Sequence, residues 1–213
     1  MIIPNYIVFD LETGGLSPDK NPVTEIAAIG IDGETLKEIG RFESMIKPYP
    51  EINGNKEYGA KAIEITGLSP EQLMQRGEDS KKVLEGFSVF CKEMKAKKRP
   101  KVVGVGHNVE FDEKFLTSFY VDHGKNLEDV LDLKHAFDTM WLAMLKYNEK
   151  GSIKNHTLGV VCDATGVSLN NAHRAMNDVE ATAELFISFS KLLKGEGTVS
   201  KEAAKSFRET FNF

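Results

Sequence analysis

The chain has 213 residues, of which 41% are hydrophobic and 28% charged, and its formal net charge is −5. This composition suits one packed α/β domain with at most a small appendage, and it argues against a disordered chain. The acidic balance also argues against a general nucleic-acid coat protein. It does not exclude an enzyme that grips one strand end through metals, because an acidic metal site itself lowers the net charge.

The cysteines and the first residues of the chain indicate in which cellular compartment the protein is expected. Cys91 and Cys162 lie far apart and form no zinc-binding pattern. Two isolated cysteines fit a reduced setting, so we expect a cytoplasmic protein. The start of the chain has no basic region followed by an apolar stretch, and no apolar run approaches the length of a membrane span. We therefore expect no membrane partner.

The first predicted element is a buried strand at 6–13 that ends in two acids, Asp10 and Glu12. Side chains alternate faces along a strand, so these two carboxylates point the same way, about 7 Å apart. They repel each other unless a cation lies between them, and Mg²⁺ takes oxygen ligands of this kind. The plain alternative is a solvated strand end.

Strands at 23–31 and 35–47 follow, separated by turns, so the first three strands should form an antiparallel meander. Two more short strands are predicted at 102–105 and 134–137. Helical spacing, caps and breakers predict the helices. These helices fall at 60–65, after Ser69, at 81–95, from Asn108 as N-cap through Phe119, and at 140–147, 157–164 and 175–193.

Two further features of the sequence each have two interpretations. The basic run at 92–101 is typical of a solvated helix end, and the alternative is a phosphate-contacting patch. Phe111, Phe115 and Phe119 repeat every four residues and should line one core-facing stripe. Of the three, Phe111 stands next to Asp112 and has the best position to contact a base.

Two further acids stand out by position. Asp112 falls in the first turn of the helix after the fourth strand, and Asp178 falls early in the last helix. His173 precedes Asp178 by five residues, a step of about 140° on a helix, so both can serve one site only if His173 lies before the helix or in its first turn. A single histidine is more often structural and a single helical Asp is more often a cap. The weight of the argument comes from the set and its order.

At these residues the sequence resembles the DnaQ-like, or DEDDh, family of exonucleases, which remove nucleotides from the 3′ end of DNA or RNA. The motifs of that family match residues 9–13, followed by Gly15-Leu16 and Glu25-Ile26, then 65–68, 106–112, 138–139 and 173–178. The His173-to-Asp178 spacing is that of the histidine branch. The resemblance covers most of the chain, from about residue 7 to residue 189.

The resemblance implies an α/β, ribonuclease H-like fold with a mixed five-stranded sheet, three strands antiparallel and two parallel, flanked by helices. The exonuclease domain would span 1–195. The tail, 196–213, lies outside the resemblance and is predicted to be helical. Its phenylalanines favour folding back on the core, and the alternative is docking into a partner.

The resemblance also implies two divalent metal ions, Mg²⁺ or Mn²⁺. Asp10 would bridge both ions, Glu12 and Asp178 would hold the one that carries the attacking water, and Asp112 would support the other. His173 would take the proton from that water. The positions that hold the terminal nucleotide in relatives are Thr13, Leu16, Asn108 and Phe111.

The function that follows is a metal-dependent 3′-to-5′ exonuclease acting on single-stranded DNA, as in proofreading or repair, with release of nucleoside monophosphates. A polymerase or repair partner fits this activity, and the sequence does not identify one. One alternative keeps the chemistry and changes the substrate to RNA, either tRNA ends or short oligoribonucleotides. The other is a non-catalytic binding module, whose usual sign is loss of a ligand, whereas all four acids and the histidine are present.

Overall fold

The structure, a computed structural model, describes residues 3–49, 56–149, 153–170 and 173–195. Within these ranges the strands are β1 (Tyr6–Thr13), β2 (Val23–Ile31), β3 (Glu38–Met45), β4 (Val102–Gly106) and β5 (Leu131–Asp138). The helices are α1 (Ala60–Thr66), α2 (Pro70–Arg76), α3 (Ser80–Met94), α4 (Val109–Asp122), α5 (Thr139–Lys146), α6 (Leu158–Thr165) and α7 (Ala175–Leu193).

The five strands form one mixed sheet in the order β3-β2-β1-β4-β5. β1 pairs antiparallel with β2 and parallel with β4, so it occupies the centre of the sheet. β2 and β3 are antiparallel, and β4 and β5 are parallel. This arrangement confirms the predicted meander and the mixed five-stranded sheet of the ribonuclease H-like fold.

Helices cover both faces of the sheet, as the alternation of buried side chains along β1 requires. Ile7, Phe9 and Leu11 contribute to a core cluster that includes residues of α3 and α4. Val8 points to the other face, in a second cluster with Val179 and other residues of α7. The side chains of Asp10 and Glu12 share the parity of Val8, so they emerge on the α7 side where the strand ends.

The bounds of β1, β2 and α7 coincide with the prediction, and the other elements differ at their ends. β3 is shorter than predicted and β5 is longer. Asn108 does precede α4, as predicted, but it has left-handed backbone, with φ +64°, and its side chain makes no capping hydrogen bond. The Asp138 carboxylate accepts hydrogen bonds from the amides of Asn108 and Val109 instead, at 2.9 and 3.1 Å.

Three expectations concern the ends of the chain and its surroundings. The predicted tail at 196–213 lies outside the described residues. Cys91 and Cys162 are both buried and free of any disulfide. Across the described ranges, no helix combines the length and the apolar character needed to cross a membrane.

Candidate active site

Three carboxylates converge where β1 ends beside α7. Asp10 and Glu12 come from β1 and Asp178 comes from the first turn of α7. One oxygen from each of these acids lies within 4.8 Å of the others. We call these three residues the acidic cluster. The predicted Asp-x-Glu pair and the distant Asp178 therefore do meet at one place.

Asp112 approaches the acidic cluster from α4. Its Oδ1 accepts a hydrogen bond from the backbone N–H of Leu11, the residue between the two β1 acids, at 3.1 Å. Asp112 is only 4% exposed. Burial raises its pKa to about 8, and the charge of Asp178 contributes to this rise. The fourth predicted acid is thus held against the backbone of β1 by a hydrogen bond that spans 101 residues of sequence.

The acids of the cluster perturb one another strongly. Burial, then the charges of Asp178, Glu25 and Asp112, raise the pKa of Glu12 to about 8. The pKa of Asp10 is raised in the same way, first by burial and then by its acidic neighbours. Burial likewise raises the pKa of Asp178. Like charges held together out of water disfavour the ionised form unless positive charge joins them.

The N-terminal end of α7 places His173 beside the cluster. His173 lies just before the helix, in left-handed backbone with φ +70°, and Arg174 is the N-cap residue. The His173 N–H donates to Asp178 Oδ2 at 3.1 Å. The His173 residue is exposed and lies in the loop just before the helix, as predicted.

The donor set fits divalent cations. Asp178 Oδ1 is buried, and none of the described residues supplies it with a hydrogen-bond partner. A buried oxygen without a donor is costly unless something absent from the protein binds it. Hard cations such as Mg²⁺ take carboxylate oxygens, and they would favour the charged form of each acid. The cluster is therefore suited to bind one or more divalent ions.

A recess of about 350 Å³ opens between the loop after β1 and the start of α4, the helix that carries Asp112. Three of the four residues predicted to hold a nucleotide line it, namely Leu16, Asn108 and Phe111. Its other lining residues are Pro18, Glu110, Lys114 and Phe115. We call it the Leu16 recess, because Leu16 is 86% exposed at its edge while Phe111 is half-buried against Phe115.

Thr13, the fourth predicted nucleotide-contacting residue, is not among the lining residues of the recess. Its hydroxyl donates to the carbonyl oxygen of Gly15 at 2.7 Å and so stabilises the loop after β1. That loop needs glycine at position 15, because a Cβ there would lie 2.5 Å from the Asn21 side chain. The structure therefore places Thr13 at the end of β1, where it supports the loop that carries Leu16, rather than in the recess itself.

Asp138, one of the residues that match the family motifs, connects the end of β5 to the starts of α4 and α5. Its carboxylate accepts hydrogen bonds from the amides at the start of α4 and from the Met140 amide of α5, the latter at 2.8 Å. Next to it, Thr139 donates to the carbonyl oxygen of Gly106 at 3.1 Å. Asp138 thus fixes the start of the helix that carries Asn108 and Asp112.

The motifs include two residues beside the cluster, Glu25 and Arg174, to which the sequence alone assigns no role. The Arg174 guanidinium donates to both carboxylate oxygens of Glu25, at 2.9 and 3.3 Å. Glu25 is fully buried in β2, directly opposite Glu12 in the sheet register. One acid in an otherwise apolar strand is the signal that could have found it, since a buried charge needs a partner.

Comparisons with known proteins agree with this arrangement. The exonuclease family model RNase_T matches residues 7–186. The "DNA polymerase III PolC-type" of Bacillus subtilis (strain 168) is 32% identical over 190 residues, which is 89% of this chain and 11% of that protein. The protein of the same name from Lacticaseibacillus paracasei is 33% identical over 206 residues, or 96% of this chain and 12% of the relative. The chain thus spans about a tenth of the length of these curated relatives.

Solved structures match the fold. The crystal structure of E. coli Exonuclease I in complex with a dT13 oligonucleotide has a TM-score of 0.67 at 21% identity, over 86% of this chain and 40% of the other. A second Exonuclease I structure has a TM-score of 0.69 at 22% identity, over 88% and 41%. At such identities the likeness establishes the fold. The match of the family model over most of the chain shows that this chain belongs to the RNase_T exonuclease family, within the DnaQ-like group that its motifs predict.

Proposed function

We propose that this chain is a metal-dependent 3′-to-5′ exonuclease that hydrolyses the terminal phosphodiester of single-stranded DNA and releases nucleoside monophosphates. The observation that carries the proposal is the convergence of Asp10, Glu12 and Asp178 within 4.8 Å. The family match supplies the reaction class.

In this proposal the four acids would hold two divalent ions, Mg²⁺ or Mn²⁺, and Asp10 would be a ligand of both. When bound, two such ions stabilise charge on the attacking and leaving oxygens of an in-line displacement at phosphorus. The protein itself holds the carboxylates close together before any ion binds. β1 fixes Asp10 and Glu12, the Leu11 amide orients Asp112, and the His173 amide orients Asp178.

His173 is the proposed general base. The residue is exposed, and its backbone N–H donates to the Asp178 carboxylate of the cluster. A neutral imidazole can accept a proton from the attacking water near pH 7. Because it is exposed, it can pass that proton to solvent before the next cycle.

The Leu16 recess is the proposed site of the terminal nucleotide. Leu16 and Phe111 present apolar surface on which a base can stack without regard to sequence. Asn108 adds a polar group at the same opening, and Thr13 acts by stabilising the Leu16 loop. Such contacts suit an enzyme that removes any nucleotide from an unpaired end.

The choice of DNA rests on relatives. One structural neighbour is E. coli Exonuclease I in complex with a dT13 oligonucleotide, and two curated relatives are polymerases by name. A polymerase or a repair assembly is accordingly the proposed protein partner. The 3′ end of single-stranded DNA is the proposed nucleic-acid partner.

Matched oligonucleotides test the proposal. Single-stranded DNA labelled at its 5′ end should give a descending ladder in Mg²⁺ or Mn²⁺, and a 3′ label should appear at once as mononucleotide. Blunt duplex should be cut more slowly, RNA of the same sequence should be the poorer substrate, and chelator should stop the reaction. Release of nucleotides from the 5′ end, or full activity in chelator, would contradict the proposal.

A further inference from the structure

The ion pair between Arg174 and Glu25 joins the start of α7 to β2, the strand beside the central strand β1. Both guanidinium nitrogens that take part donate to the Glu25 carboxylate, at 2.9 and 3.3 Å, across 149 residues of sequence. The Glu25 side chain is fully buried, and that of Arg174 is 36% exposed. Removing one member of a buried, two-point pair would leave an uncompensated charge inside the protein.

The backbone of Arg174 also forms part of the turn that leads from His173 into α7. Its carbonyl oxygen accepts the first helical hydrogen bonds, from Asn177 at 2.9 Å and Asp178 at 3.2 Å. The preceding residue, His173, has left-handed backbone at φ +70° and donates its amide to Asp178. Non-glycine residues rarely adopt this conformation and keep it only where the surroundings enforce it.

The same ion pair also affects the electrostatics of the acidic cluster. Glu25 lies opposite Glu12 in the register of β1 and β2. The charge of Glu25 raises the pKa of Glu12, and Arg174 lowers it. Glu25 alone would add a fifth carboxylate beside the four proposed ligands, whereas the guanidinium balances that charge and leaves the cluster for cations.

We propose that Arg174 is a positioning residue, which Glu25 anchors to the sheet so that the His173 loop is held over the acidic cluster. Arg174 fixes the turn from which His173 reaches the site, and it does so without lining the Leu16 recess. The inference deepens the proposed function and rests on it, since it assigns Arg174 its effect through the proposed base.

Arg174→Ala should therefore lower kcat about 10²-fold while KM changes little, because small displacements of a catalytic group cost rate rather than substrate binding. Arg174→Lys keeps a charge without the two-point geometry and should recover part of the rate. Arg41→Ala is the matched control. Arg41 pairs with Glu180 of α7 and with Glu38 on an exposed surface, and its loss should leave kcat unchanged. Wild-type kcat in Arg174→Ala, or an equal loss in Arg41→Ala, would overturn the inference.

The double variant Glu25→Met/Arg174→Met guards against loss of folding, since an apolar pair can replace a buried ion pair without loss of stability. It should keep its melting temperature and Mn²⁺ affinity and still show the low kcat. Recovery of wild-type kcat in the double variant would mean that only the unpaired charge mattered, and would overturn the positioning role.

Hydrogen exchange at the His173 amide, measured on the metal-free protein, separates this inference from the proposed function. Loss of Arg174 should increase exchange at that amide, which donates to Asp178, and the Arg41 control should not. If the wild-type protein proves inactive, the proposed function fails while this result still stands. Unchanged exchange in Arg174→Ala would overturn the inference whatever the activity.

Discussion

The acidic cluster and the Leu16 recess are built in opposite ways. Glu12 and Asp178 are 7% and 9% exposed, held by a strand and a helix, and their pKa values are raised by burial. Leu16 is 86% exposed on a loop. In the proposed function, the groups that would bind ions are fixed out of water in advance, whereas the groups that would receive a base are left open. Changes in the cluster should therefore remove catalysis, and changes in the recess should weaken substrate use.

The largest effect is expected from Asp10→Ala. Asp10 is the proposed ligand common to both ions, so turnover on single-stranded DNA should fall to background. Asp163→Ala, an exposed acid on α6, should keep normal turnover. Nuclease assays on the two purified variants measure this. Normal hydrolysis by Asp10→Ala would break the distinction between the cluster and the recess.

His173→Ala should lose turnover while retaining the ions, because the proposed base ligates neither. Loss of a general base costs on the order of 10² to 10⁴ in rate. His135 is an exposed residue of β5, and His135→Ala serves as the control for removal of a histidine. Single-turnover rates and Mn²⁺ titrations test both parts, and near-normal activity would return His173 to a structural role.

The ion-free protein should lose stability as pH rises. The pKa of Glu12 is raised from 4.5 to about 8, so the folded state binds more protons than the unfolded chain within that window. The contribution of Glu12 to the free energy of unfolding is therefore fully present below about pH 4.5 and is lost progressively toward about pH 8. A change of 1 kcal/mol moves the melting temperature by about 2–4 °C in a domain of this size.

Added Mg²⁺ or Mn²⁺ should reverse that loss, because bound cations favour the ionised acids and stabilise the native state by mass action. Thermal melts at pH 5 and pH 8, with ions and with chelator, give the comparison. Glu12→Gln should flatten the pH dependence of the ion-free protein. A melting temperature that rises from pH 5 to pH 8 in chelator would contradict the raised pKa values.

The smallest effect is expected in the recess. Leu16→Ala should raise KM about tenfold, since covering a leucine side chain contributes roughly 1.5–3 kcal/mol. Mn²⁺ affinity should not change. Leu145→Ala on α5 is the matched control, because that leucine is 74% exposed away from the recess. Steady-state kinetics on single-stranded DNA separate the two outcomes, and a fall in kcat alone would show that the recess does more than bind.

Local patterns in the sequence predicted a large part of the fold. The unbroken apolar run before Asp10 set the bounds of β1, and the helical spacing from Ala175 onward set those of α7. Both signals are local, because side-chain period follows directly from backbone geometry. The four acids and His173 were identified from their motifs and spacing, and their roles stay predictions.

Only the tertiary structure decided how those residues act on one another. Asp112 meets the Leu11 amide, and Arg174 meets Glu25, across 101 and 149 residues. Asn108 was a reasonable cap by residue type, yet the Asp138 carboxylate receives the amides at the start of α4. Such contacts depend on how elements pack, and so do the raised pKa values, since burial and charge proximity are properties of the folded chain. Residue types and their order along the chain specify the chemistry, and packing determines its geometry.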